Sequence, residues 1–276
     1  MGMTEEEKKL RERQLAVIAE FTLMDDVFMS EVFDGQNEIV ELILRIILER
    51  DDLVVTSVET QKEYKSHTMR SIRLDVKAVD STGKIYDIEI QRSDKGSGAR
   101  RARYYSSMID RELLEKSSGF DELVDTYVIF ITEKDHFGKG LPMYHIERKI
   151  TELGDESFGD GTHIIYVNGE YRKKDSLGKL MHDFTCKRAG EMFYPTIAER
   201  VKYFKEKEGG HGYMNKLFEE WIEEECAKRE KKTRHAEAVK FAQTLIKCGK
   251  FSEAEIADMT SLPLEEVKKL SRGRTA

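Results

Sequence analysis

Residues 71–91 constrain the fold most, because their apolar pattern predicts a β-hairpin with a defined register. Apolar residues alternate along both arms, as in strands that bury one face. The loop 81–83 between the arms ends in Gly83, which can adopt the left-handed conformation that such a loop needs. With Asp80 opposite Lys84, the apolar residues of both arms share one side. They are Ile72, Leu74, Val76 and Ala78 on the first arm, and Tyr86, Ile88 and Ile90 on the second.

The same register places Asp75 opposite Glu89 on the polar side of the hairpin. Side chains that face each other in this way have Cβ atoms about 5 Å apart, and two carboxylates so close repel unless a proton or cation lies between them. Mg²⁺ binds one or two carboxylates together with waters. The pairing therefore allows a metal site, or a solvated face of mixed charge stabilised by Lys77 and Asp87. From the pairing alone, the solvated face is the commoner outcome.

Length and composition favour a cytoplasmic protein with one large domain, or one domain and an appendage. The chain has 276 residues, of which 39% are hydrophobic and 36% are charged. No apolar run is long enough to cross a bilayer, so we expect no membrane partner, and the charged N-terminus lacks the apolar core of a signal peptide. The three cysteines, Cys186, Cys226 and Cys248, match neither a disulfide framework nor a zinc spacing. Reduced thiols are expected.

The net charge of −7 does not indicate a nucleic-acid-binding protein. A local basic segment, residues 92–111, nevertheless follows directly after the hairpin. Its basic residues are Arg92, Lys95, Arg100, Arg101, Arg103 and Arg111, against Asp94 and Asp110. These arginines are candidates for phosphate contacts and could equally be solvated surface, whereas core packing is the expected role of at least one of Tyr104 and Tyr105.

The order of the predicted elements indicates an α/β protein built around a mixed sheet. An amphipathic helix over 36–50 precedes a strand and the hairpin, and a helix over 99–116 precedes the continuous apolar strand 126–132. Further strands and helices follow. The predicted domains are a helical leader over 1–20, the main domain over 21–208 and a helical region over 209–276 that begins at a glycine-rich linker.

The C-terminal region is predicted to end in a small hairpin of two helices. Ser252 and Glu255 form a capping box for the first helix, and Pro263 suits the first turn of the second. Such a pair either packs as a helical hairpin or binds DNA as a helix–turn–helix. A third reading is that the charged helices of 213–276 assemble copies of the chain, so a homo-oligomer is left open.

Several blocks of the chain resemble the PD-(D/E)xK nuclease superfamily, and more closely its recombination-promoting nuclease and transposase branch. The resemblance spans residues 21–207. The blocks are FTLMDDVF, RSIRLDVKAVDSTGKIYDIEIQ, RARYYSSMIDRELL, TYVIFITEKDHFGKGLPMYHIER, HIIYVNG and LGKLMHDF. It implies a restriction-endonuclease-like α/β core, with a mixed central sheet flanked by helices and a C-terminal helical extension.

The resemblance also implies hydrolysis of DNA phosphodiester bonds with Mg²⁺, or Mn²⁺ as an alternative, in recombination or in mobile elements. Asp75 and Glu89 match the motif carboxylates and would be metal ligands, with the Ile90 carbonyl adding an oxygen. Gln91 takes the place of the motif lysine. An amide can orient a water or a phosphate oxygen, but it carries no charge and is not a general base.

Further site residues follow from the same resemblance. An acid on the first core helix is expected, for which Glu38 is preferred over Glu41. Arg101 and Tyr105 match the R-x-x-Y-Y block, and Arg101 would hold a phosphate oxygen. The expected nucleic-acid contacts are Arg92, Arg100, Arg101, Arg103 and Tyr105. Because Gln91 departs from the superfamily pattern, the alternative is a nuclease fold that binds nucleic acid or protein without cutting.

Overall fold

The computed structural model describes residues 12, 15–16, 18–65, 70–92, 97–114, 118–207, 210 and 234–272. The chain forms two compact units, Met1–Met214 and Asn215–Ala276. Most of the expected leader over 1–20 and most of the expected linker over 209–212 lie outside the described residues. The boundaries expected after residues 20 and 208 remain predictions.

The first unit contains five helices and eight strands within its described residues, apart from short 3-10 turns and the residues before Asp26. The helices are α1 (Asp26–Phe33), α2 (Asn37–Leu48), α3 (Ala99–Leu113), α4 (Ser176–Thr185) and α5 (Pro195–Glu206). The strands are β1 (Val55–Tyr64), β2 (Ile72–Asp80), β3 (Ile85–Gln91), β4 (Thr126–Thr132), β5 (Met143–Ile146), β6 (Lys149–Ile150), β7 (Glu156–Ser157) and β8 (Thr162–Asn168).

Six of these strands form one mixed sheet in the order β1-β2-β3-β4-β8-β5. Strands β1, β2 and β3 are antiparallel, β3, β4 and β8 are parallel, and β5 is antiparallel to β8. Strand β4 is buried along almost its whole length, as its continuous apolar run predicts. Helix α2 buries Ile39, Ile43 and Ile47 and contacts β1 and α4. The expected α/β architecture is confirmed.

The predicted hairpin register is confirmed over its inner part. Lys77 pairs with Asp87 and Ala78 with Tyr86, and Gly83 has a φ of 84°. The ladder ends at the pair Val76–Ile88, so the further pairs predicted towards the open end of the hairpin do not form. Beyond this point β2 departs from β3, and the predicted ladder pairs Asp75–Glu89, Leu74–Ile90 and Arg73–Gln91 are wrong.

The polar side of the hairpin is not the solvated face that simple alternation favours. Asp75 is 8% exposed, whereas Asp87 and Glu89 are completely buried. Asp87 and Glu89 lie beside Val128 and Phe130 of β4, and these two residues pack against helix α3. Strand β3 is therefore covered on both faces, and its carboxylates lie inside the protein.

The expected ion pair between Lys77 and Asp87 is also absent in the part of the chain that the structure describes. Lys77 instead reaches Glu59 on β1, with Nζ 3.7 Å from the carboxylate. Neither carboxylate oxygen of Asp87 has a hydrogen-bond partner within the described residues. The lysine takes the more exposed neighbour because burying its charge costs free energy.

The second unit contains the predicted helix pair, α6 (Glu253–Thr260) and α7 (Leu264–Arg272), preceded by helical residues 234–248. Its core consists of Ala242, Ile256, Leu262 and Val267. The predicted capping box is confirmed, because the Glu255 N–H donates to Ser252 Oγ and the Ser252 N–H donates to the Glu255 carboxylate. Among the helices that the structure describes, none is long and apolar enough to cross a membrane.

Candidate active site

A cavity of about 870 Å³ lies where β2 departs from β3, beside the first half of α3. The polar residues lining it include Asp26, Asp75, Gln91, Arg100, Arg101 and Tyr105. It therefore brings a carboxylate of the hairpin together with the basic and aromatic residues of the helix that follows in the sequence. Separate elements converge on this cavity because β3 is central in the sheet and α3 covers one of its faces.

Asp75 and Glu89 are held by a reciprocal pair of hydrogen bonds. The Ile90 N–H donates to Asp75 Oδ2 at 2.9 Å, and the Asp75 N–H donates to Glu89 Oε1 at 3.1 Å. Each carboxylate thus takes up a backbone donor of the other strand. The two carboxylates that the hairpin pattern places opposite each other are fixed in orientation at the point where the ladder opens.

Burial makes the ionised form of both carboxylates costly. It raises the pKa of Asp75 to about 6, and the negative charge of Asp26 adds to this shift while the Ile90 N–H opposes it. Burial likewise raises the pKa of Glu89 to about 8, with the charge of Asp75 adding and Arg101 opposing. Raised carboxylate pKa values are expected where like charges share a desolvated site, and a bound cation relieves them.

Arg101 is the cation closest to this pair. Its Nη2 donates to Glu89 Oε2 at 2.6 Å and to the Tyr105 hydroxyl at 2.8 Å, and its Nη1 donates to Gln91 Oε1 at 3.4 Å. The guanidinium also lies 4.7 Å from the centroid of the Tyr105 ring. Arg101 and Tyr105 share one side of α3 because they are four residues apart. The structure thus places a guanidinium beside the side-chain amide of Gln91.

Asp87 adds a third buried carboxyl group next to this site. It lies two residues before Glu89 on β3 and has no exposed surface. Burial raises its pKa well above the ordinary range, and the charges of Glu89 and Asp75 add to the shift. Three buried carboxyl groups therefore lie close enough to affect one another electrostatically, and Arg101 binds Glu89 among them.

The side chains available to hold a divalent cation are few. Within the described ranges, no group of three or more His, Cys, Asp and Glu side chains is arranged to hold a metal. Two carboxylates completed by waters and a backbone oxygen are nevertheless a normal environment for Mg²⁺. Asp75 and Glu89, with the neighbouring Ile90 carbonyl, match that environment in number and in chemistry.

Asp26 is an acid of the cavity that sequence reasoning did not select. It begins α1, lines the cavity, and its charge contributes to the raised pKa values of both Asp75 and Glu89. Glu38, the expected acid, is exposed in the first turn of α2 and does not line the cavity. Sequence reasoning could have selected Asp26, because it lies in FTLMDDVF, one of the blocks that carry the family resemblance.

The predicted nucleic-acid contacts separate into two groups. Arg100, Arg101 and Tyr105 line the cavity. Arg92 is exposed and pairs with Asp25, and with Glu133 at 4.0 Å, whereas Arg103 is exposed and outside the cavity lining. The structure thus brings three of the five expected residues to the carboxylates. Arg92 and Arg103 stay predictions for a longer substrate that extends beyond the cavity.

The sheet topology and the paired carboxylates define a nuclease-like α/β domain. A family model of PD-(D/E)XK nuclease family transposases matches residues 27–180, which is more than half of the chain. The chain therefore belongs to that family. PD-(D/E)XK nucleases generally use divalent metals. Comparisons with curated proteins and with solved structures found no significant match.

Proposed function

We propose that this protein hydrolyses phosphodiester bonds of DNA as an endonuclease, with Mg²⁺, or Mn²⁺ in its place, held by Asp75, Glu89 and the Ile90 carbonyl. The observation that carries the proposal is the reciprocal pairing of Asp75 and Glu89 with the backbone at one end of a cavity. Two oriented carboxylates in a desolvated site, each with a raised pKa, favour a cation between them.

Side chains of this chain would bind and orient the DNA in that cavity. Arg101 offers a planar guanidinium that can hold two phosphate oxygens, and Arg100 lies one position before it. Tyr105 stacks against Arg101 and accepts one of its N–H bonds, so it limits the movement of the guanidinium. Gln91 can orient a water or a phosphate oxygen but cannot remove a proton.

The reaction is proposed to be direct hydrolysis, with water attacking in line and no covalent enzyme intermediate. A bound divalent cation supplies positive charge at the phosphate and lowers the pKa of water. Arg101 contributes a fixed positive charge next to Gln91, the residue at the position of the motif lysine. Burial lowers the pKa of Arg101, but Glu89 and Tyr105 raise it more, so Arg101 acts by charge and not by proton transfer. The family favours a role in recombination or mobile elements, and a DNA substrate favours the cytoplasm.

Metal-dependent cleavage is the first expected result. The full chain is incubated with supercoiled plasmid and with single-stranded DNA, in the presence of Mg²⁺, Mn²⁺ or EDTA. We expect nicked or shortened DNA with either metal and intact DNA with EDTA, measured by gel electrophoresis. Intact DNA under every condition, at protein concentrations that bind it, would contradict the proposal.

One observation favours a second candidate, a nuclease fold that binds nucleic acid or a protein partner without cutting. The Glu89 carboxylate is completely buried and already paired with Arg101 at 2.6 Å. In that case the guanidinium of Arg101 permanently neutralises Glu89, and no metal ion is bound there. Calorimetric titration with Mn²⁺ separates the two candidates, because a site closed by Arg101 takes up no metal.

The identity of the acid on the first helix can be tested with two matched substitutions. Asp26→Asn is expected to lower metal-dependent cleavage by about tenfold, since it removes a negative charge from the cavity. Glu38→Gln, an equivalent change at the exposed acid of α2, is expected to leave the cleavage rate within about twofold of wild type. Initial rates on plasmid DNA measure both effects. A larger loss of cleavage rate for Glu38→Gln than for Asp26→Asn would identify Glu38 as the acid of the site.

A further inference from the structure

We propose that Gln61 is a positioning residue of the active site, which holds Asp26 through its amide and opens the sheet at Asp75 through its backbone. The inference rests on the proposed metal-dependent function, since its consequence is the geometry of the acids around the cavity. Gln61 itself is not among the residues that line the cavity.

The backbone of Gln61 is strained. Its φ is 53° in the interior of strand β1, where a non-glycine residue ordinarily has a negative φ. The other non-glycine residues with positive φ within the described chain, Glu49, Asp155 and Ser261, lie at helix ends or in a bend. Strain of this kind persists only where the surrounding structure enforces it, and it is concentrated at functional sites.

The strained residue lies at the position on β1 that should pair with Asp75. Thr60 pairs with Val76 and Lys62 with Leu74, but the pair between them is missing from the ladder. Further along β2, the Asp80 N–H bonds to the Lys84 carbonyl, so the N–H of Asp80 points to the side of β3. Because alternate residues of a strand bond to opposite neighbours, a regular Asp75 N–H would point to β1.

The Asp75 N–H instead donates to Glu89 Oε1 on the β3 side. The left-handed conformation of Gln61 therefore coincides with the release of the backbone donor that binds Glu89 Oε1. A regular strand at Gln61 would pair with that N–H and leave the buried Glu89 carboxylate with one hydrogen bond fewer. The break in the ladder is thus a condition for the reciprocal pairing of the two carboxylates.

The side-chain amide of Gln61 binds Asp26, the acid of α1 that lines the cavity. Gln61 Nε2 donates to Asp26 Oδ1 at 2.7 Å, and Arg73 Nη2 lies 3.5 Å from the other oxygen of Asp26. Asp26 and Asp75 line the same cavity, so their like charges repel each other. A neutral donor that holds Asp26 at the cavity offsets this repulsion, which explains why a glutamine occupies a position that glycine would fill without strain.

Two substitutions separate this role from a purely structural one. Gln61→Gly removes the amide and relieves the strain, whereas Gln61→Met removes the amide and keeps both the strain and the side-chain length. Mn²⁺ affinity is measured by calorimetry on the full chain, and stability by thermal unfolding without metal. We expect about tenfold weaker Mn²⁺ binding for both variants, together with a Tm raised by a few degrees for Gln61→Gly only.

The Asp26→Asn background provides the control. If Gln61 acts through Asp26, Gln61→Gly in that background changes Mn²⁺ affinity by no more than about twofold. Wild-type Mn²⁺ affinity in Gln61→Gly, with binding lost in Asp75→Asn, would overturn the inference and leave the proposed function standing. Absence of Mn²⁺ binding by the wild-type chain would contradict both the proposed function and this inference.

Discussion

Asp75→Asn is expected to lower metal-dependent DNA cleavage by about a thousandfold, equivalent to about 4 kcal/mol of transition-state stabilisation. The substitution removes one of the two carboxylates proposed to hold the cation. It retains an oxygen that can accept the Ile90 N–H bond, so the local fold is expected to persist. Cleavage rates on plasmid DNA and Mn²⁺ affinity measured by calorimetry should fall together.

The matched control for this prediction is Asp121→Asn, the same chemical change at an exposed residue far from the cavity lining. It should cut DNA at the wild-type rate. Circular dichroism and thermal unfolding of Asp75→Asn establish that the fold is retained. An Asp75→Asn variant that is folded and cuts DNA as fast as wild type would show that Asp75 holds no essential cation.

The second large effect expected is a loss of stability of the metal-free protein as the pH rises. In the folded state Asp75 and Glu89 have pKa values of about 6 and 8, above the ordinary values near 4. The folded protein then binds more protons than the unfolded chain, so their contribution to stability decreases from about pH 4 to pH 8. Each unit by which a pKa is raised corresponds to about 1.4 kcal/mol.

Urea unfolding in EDTA at pH 5 and pH 8 measures this effect, with Glu89→Gln as the test variant. Because a glutamine does not titrate, Glu89→Gln should gain stability relative to wild type by roughly 2 kcal/mol or more between the two pH values. Mg²⁺ added at pH 8 should stabilise wild type and not the variant. Glu199→Gln, an exposed equivalent on α5, should follow wild type. A constant difference between Glu89→Gln and wild type would exclude a protonated Glu89 in the metal-free interior.

Local pattern was sufficient where neighbouring residues determine the structure. The alternation along the hairpin and the glycine of its loop predicted the pairs Lys77–Asp87 and Ala78–Tyr86. The continuous apolar run predicted β4, and the spacing of isoleucines predicted α2. The spacing of Ser252 and Glu255, three residues apart, predicted the capping box. Each of these confirmed signals lies within a few residues of the feature that it predicts.

The environment of the carboxylates required the tertiary structure. Simple alternation favoured a solvated polar face, but the packing of α3 on β3 and β4 buries Glu89 and Asp87. The family resemblance implied an acid on the first core helix, for which Glu38 was preferred over Glu41. Asp26 reaches the cavity instead, since α1 contacts β2 at the point where the ladder opens.

The sequence by itself determined the inner pairs of the hairpin, the selection of Asp75 and Glu89 as candidate site residues, and the family, because these depend on period and on motif residues close together in the chain. Only the tertiary structure decided how those carboxylates are held. Arg101 of α3 binds Glu89, and Gln61 of β1 binds Asp26 of α1. Contacts over such separations depend on helix packing and on one strained residue in β1, and neither leaves a periodic signal in the sequence.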